Sequence, residues 1–91
     1  MQLVHTDAKG WAIAFVCDVS NRPHMERFWA AFSRLGAIEL PERGWEEEGL
    51  RVWVYRLGDE LVGVRESYGE FIAEGLATIL GALTVEVGPI A

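Results

Sequence analysis

This sequence predicts an α+β domain: an antiparallel sheet of four to five strands with two helices on one face, in a single domain spanning residues 1–91. Three observations carry the prediction. Arg51–Arg65 reads RVWVYRL, then Gly58-Asp59, then ELVGVR: two β-rich runs around a two-residue turn, the pattern of a tight hairpin. Between Ser20 and Gly36 the apolar residues fall at helical spacing, with a cap before them and a glycine stop behind. At 91 residues, 51% hydrophobic and 24% charged, the chain can build one core and not two.

Taken in order, Gln2–His5 reads as a short strand and Thr6–Gly10 as a turn cluster. Trp11–Cys17 (WAIAFVC) is a strand. Ser20 or Asn21 caps the helix that follows, and Pro23 sits in its first turn, where a missing N–H does no harm. Met25, Phe28, Trp29, Phe32 and Leu35 form its buried stripe, and Gly36 supplies the left-handed stop. Ala37–Leu40 reads as a brief strand and Pro41–Gly49 (PERGWEEEG) as a polar loop. After the hairpin, Ser67-Tyr68-Gly69-Glu70 has the form of a capping box. It predicts a second helix to about Ala82, with Phe71, Ile72, Leu76, Ile79, Leu80 and Leu83 towards the core. Thr84–Val87 then reads as a last strand. The order β-α-(β)-β-β-α-β is the ferredoxin-like, split βαβ arrangement.

Cys17–Leu40 (CDVSNRPHMERFWAAFSRLGAIEL) resembles the strand, Asn-Arg-Pro, helix and glycine with which ligand-sensing ACT domains open. His24 stands where those domains usually carry a glycine. Acylphosphatases share the element order and size, but the chain has no glycine-rich loop with a catalytic arginine.

The hairpin turn fixes a register. With Gly58-Asp59 as a type II′ turn, Leu57 faces Glu60, Tyr55 faces Val62 and Trp53 faces Val64 on one side. That side is the larger and more apolar, so it is assigned to the helices. Alternation extends the assignment to Trp11, Ile13, Phe15 and Cys17. The opposite face then carries Ala12, Ala14, Val16, Val52, Val54, Leu61 and Gly63. A water-facing sheet normally alternates to polar residues. This one stays small and apolar, so a second copy is expected to cover it, as a homodimer.

Charge and chemistry narrow the function. Fourteen acidic against eight basic residues give a net charge of −6, which argues against direct nucleic-acid binding or an anionic membrane surface and permits a basic protein partner. No apolar run reaches membrane-spanning length, and the N-terminus lacks signal-peptide character, so a cytoplasmic protein is expected. The single cysteine, Cys17, agrees with a reducing compartment. His5 and His24 have no partner at metal-ligand spacing, and the three serines are explained as caps or helix residues. No catalytic residue, metal or cofactor is therefore predicted. Four tryptophans remain. Trp45 sits among Glu42, Glu46, Glu47 and Glu48, the composition of an aromatic anchor ringed by charges that would steer a basic partner. Trp11, Trp29, Trp53 and Tyr55 could instead line a ligand pocket between sheet and helices. The reading is a non-catalytic interaction module, self-associating through its open sheet face, with an acidic inhibitor or regulator of a basic protein as one form of it. Its alternative is a small-molecule sensor or enzyme of the dimeric α+β barrel type.

Overall fold

The computed structural model describes residues 1–90. Seven strands form one antiparallel sheet: β1 (Gln2–Thr6), β2 (Trp11–Asp18), β3 (Ile38–Glu39), β4 (Trp45–Glu47), β5 (Leu50–Leu57), β6 (Glu60–Ser67) and β7 (Glu70–Leu76). Their lateral order is β1-β2-β7-β6-β5-β3, and β4 also pairs with β5. The helices are α1 (Arg22–Arg34) and α2 (Ala77–Val87). The α+β class, the antiparallel sheet and the two helices agree with the sequence. The ferredoxin-like order of four to five strands does not match this connectivity, because the second helix follows the whole sheet.

The hairpin forms in the predicted register, with Leu57 opposite Glu60, Tyr55 opposite Val62 and Trp53 opposite Val64. The capping-box reading fails one turn later. Tyr68 and Gly69 both take positive φ, 47° and 86°, and make a second tight turn in place of a helix start. The residues behind it bury alternately: Phe71, Ala73 and Gly75 inward, Ile72, Glu74 and Leu76 half-exposed. That is a period of two, so the segment is a strand.

The helix is delayed to Ala77, whose N–H donates to the Gly10 carbonyl at 2.7 Å, so the β1–β2 turn satisfies a helix end that no side chain caps. Thr84–Val87, read as a strand from its β-branched residues, is the end of α2. Leu80, Leu83 and Val87 fall on one buried stripe, and packing overrides local propensity. The Thr84 hydroxyl donates to the Leu80 carbonyl at 2.7 Å inside the helix.

Helix α1 is capped by Asn21, whose side chain accepts from the His24 N–H. Phe28 and Phe32 are buried, and Phe28 and Trp29 each lie 5.5 Å from the Phe71 ring. Trp29 also meets Trp53 and Tyr55, at 6.2 and 5.6 Å. Aromatic edges therefore join α1 to β7 and β5, a packing worth about 0.5–1.5 kcal/mol per pair beyond burial.

On β2 the predicted faces are exchanged. Ala12, Ala14 and Val16 are fully buried under the helices, while Trp11, Ile13 and Phe15 turn outward. The register explains this: Ala14 lies opposite Ala73, which shares its face with Phe71. Small residues on this half of the sheet let both helices approach closely. A bulge between Phe15 and Cys17 then turns Cys17 inward as well.

Candidate functional site

Both helices pack on the Phe71 side of the sheet, and among the described residues no helix covers the other side. Alternation on each strand decides what that outer face presents. From β2 come Trp11, Ile13 and Phe15; from β7, Ile72, Glu74 and Leu76. From β6 come Leu61, Gly63 and Arg65, facing Arg56, Val54 and Val52 of β5. Trp45 of β4 lies opposite Val52 and extends the face to the sheet edge, and Ile38 of β3 lies opposite Arg56. Trp11, Trp45 and Ile38 are 41%, 50% and 52% exposed, so the apolar area is accessible.

Six strands abreast at roughly 4.8 Å spacing make a face about 25 Å wide, and about 20 Å of strand length gives roughly 500 Å² before side-chain relief. A standard protein interface takes about 800 Å² from each partner, so this face falls below that class before side-chain relief is added and fits a weak or transient contact.

Charge is unevenly placed on it. The middle carries Arg65 and Glu74, Arg56 lies at the rim beside the Gly58 turn, and Asp18, Glu47 and Glu70 lie at the opposite rim. Arg65 Nη1 stands 3.9 Å from Glu74 Oε1, with both side chains about one-third exposed. Arg65 Nε is buried and has no hydrogen-bond partner. Beside this pair lies Gly63, directly opposite Glu74, whose side chain packs over it: a Cβ there would meet Glu74 Cγ at 3.4 Å and Oε1 at 3.6 Å. The geometry can accept an apolar surface with a complementary charge at its centre. No group of three potential metal-ligating side chains occurs among the described residues.

The other predicted residues separate. Of the seven residues expected on the open face, Val52, Val54, Leu61 and Gly63 lie there; Ala12, Ala14 and Val16 are core. Trp45 is on a strand and not in a loop, and its glutamates do not ring it. Glu47 shares its face, Glu46 points to the opposite side and pairs with Arg51 at 3.3 Å, Glu48 is in the turn, and Glu42 is in the 3₁₀ turn Pro41–Arg43. Arg51 in turn lies over the Trp53 ring, 4.8 Å from its centre. No protein family, curated protein or solved structure matches the chain. The proposed pocket quartet is split: Trp29, Trp53 and Tyr55 pack on one another, and Trp11 is across the sheet. A depression of about 320 Å³ lies elsewhere, among Glu46, Arg51, Glu66 and Tyr68 at one end of the sheet.

His24, in the first turn of α1, is buried, 2% exposed. Its Nε2 lies 3.0 Å from the Met1 amine, which also donates to the Gly88 carbonyl at 2.9 Å. This contact ties the first strand to the start of α1 and the end of α2. Burial, then the charges of the amine and Arg27, hold His24 below its ordinary value. Burial pushes the Cys17 thiol up. Burial and then the charge and hydrogen bond of Glu39 push up Tyr55. The one signal for His24 was its place in the first turn, next to a strand that ends in the core.

Proposed function

We propose that the chain is a non-catalytic interaction module that pairs with a second copy of itself through the outer face of its sheet. The observation that carries this reading is the run Trp11, Ile13, Phe15, Ile72, Leu61 and Val54 across four adjacent strands, with no helix over it. A sheet with helices on one side only is stable in water when its other side is polar or covered. Trp11 and Trp45 would each remove about 100 Å² from water, roughly 2.5 kcal/mol apiece at 25 cal/mol/Å².

A second copy fits this face better than a basic protein. One arginine and one glutamate occupy its centre, whereas the glutamates near Trp45 are dispersed and Glu46 is already paired. A self-complementary patch is also what a two-fold dimer requires. Sedimentation velocity at tens of micromolar is expected to show a dimer. Leu61→Glu, at an exposed position, is expected to sediment as a monomer with an unchanged far-UV spectrum. A wild-type chain that stays monomeric at that concentration overturns the reading.

A further inference from the structure

We infer that in the paired form Arg65 and Glu74 exchange partners, each Arg65 bonding Glu74 of the second copy. The inference rests on the self-association proposed above. Within one chain the pair is poorly made. Its single approach is 3.9 Å, between residues on neighbouring strands that are diagonal and not opposite. Arg65 Nε is buried with nothing to bond. A guanidinium carries five N–H donors in a planar fork suited to both oxygens of a carboxylate. Covering the face would strip the remaining water from an ion held this loosely, and an imperfectly paired buried charge is costly.

Pairing across copies removes that cost. In an isologous interface, if Arg65 meets Glu74 of the second copy, Glu74 meets the second copy's Arg65. One contact therefore becomes two, and both charges of each chain are used. Gly63 lies opposite Glu74 and two residues before Arg65 on the same strand, and with no side chain of its own it leaves the Glu74 carboxylate, which packs over it, open to an incoming guanidinium from the outer side. The surrounding Ile13, Ile72 and Val54 exclude water, which strengthens the pair and fixes the register of the two sheets.

The test is a charge exchange between separate chains. R65E and E74R are made singly, and each is expected to dimerise at least about tenfold more weakly than wild type, because each homodimer sets like charges together. An equimolar mixture is expected to regain an affinity within a few-fold of wild type, with native mass spectrometry showing the mixed species. R56E serves as control: it alters the same face but not the pair, so its mixture with E74R is expected to stay weak. If the R65E and E74R mixture stays as weak as the single variants, or the R56E mixture recovers equally, the exchanged pair is wrong. If wild type itself is monomeric, the self-association reading has failed instead. Should R65E lose its far-UV spectrum, R65Q and E74Q carry the same test. Their mixture keeps one of the two cross pairs and is expected to associate more tightly than either variant alone; equal weakness overturns the inference.

Discussion

Phe71 and Ile72 are neighbours in sequence and lie on opposite faces of β7, so truncating each should have opposite consequences. Phe71 is fully buried, with the rings of Phe28, Trp29 and Trp53 at 5.5, 5.5 and 6.2 Å. Phe71→Ala deletes the ring on which α1 and β5 converge, and large-to-small changes of this kind cost about 3–5 kcal/mol. A chain of 91 residues has a total stability of roughly 5–14 kcal/mol, so one substitution consumes a large part of it. In a thermal scan this is a fall of roughly 12–40 °C. Ile72→Thr keeps the β-branch on a half-exposed position and should cost less than about 1 kcal/mol. Its effect should appear in self-association. The assay is urea unfolding followed by circular dichroism, below the dimerisation range, with the same m value required of all three proteins. Equal destabilisation by the two substitutions would mean that both side chains are inside, as in a helix starting at Ser67, and would refute the strand.

Two further outcomes concern buried titratable groups. His24 is held below 6.5 by burial and then by the Met1 amine and Arg27; the amine is held below 8.0 chiefly by burial. The folded chain thus binds fewer protons than the unfolded one in that range, so this contribution is complete above about pH 8 and is lost as pH falls. Cys17 and Tyr55 are raised above 9.0 and 10.0, so stability also falls as pH climbs past about 9. Urea midpoints should therefore peak between roughly pH 8 and 9, and His24→Gln should flatten the slope as pH falls below about 6.5; an unchanged slope in the variant would assign it elsewhere. Cys17 is fully buried and its thiol donates to the Asn21 carbonyl at 3.8 Å. Labelling by an aromatic disulfide should be slower in the native chain than in urea by roughly a thousandfold or more, the unfolded fraction expected from ordinary stability. A native rate close to the denatured one would place the thiol at the surface.

The hairpin could be read from sequence because a two-residue turn leaves one register open, and Gly58 takes the required positive φ of 63°. Helix α1 could be read because a cap, a proline, a stripe and a glycine agree. Ser67-Tyr68-Gly69-Glu70 could not, because the same four residues suit a capping box or a tight turn. Only the alternation behind them decides, and Phe71-Ile72 begins with two apolar residues that fit both periods. The faces of β2 were misread for a related reason. Size suggests that Trp11 and Phe15 belong inside, but close helix packing favours small residues there, so Ala12 and Ala14 are buried and Trp11 and Phe15 face outward. Val52, Val54, Leu61 and Gly63 were placed correctly because their register came from a turn and not from a guess about volume.

That inversion bears on how two copies would meet. The sheet could associate through its edges or through its face, and the edges are poorly suited. β1 carries a register break between Leu3 and His5, and such a bulge twists an edge away from an incoming strand. On the far side β5 is lined by two short strands, β3 and β4, separated by the 3₁₀ turn Pro41–Arg43, so no long flat run of free N–H and C=O groups is offered. Gly44 makes that interruption possible: a Cβ there would come within 3.0 Å of the Val52 carbonyl. With both edges blunted, the large side chains that β2 sends outward have one way to leave water, through the face. A face contact about a two-fold axis closes on itself and stops at two chains, whereas addition of one edge to the opposite edge of the next copy would be heterologous and continue into a filament. The residues that make the inner face small are therefore the reason the outer face is large, and the folding of one chain leaves the surface on which a second can fit.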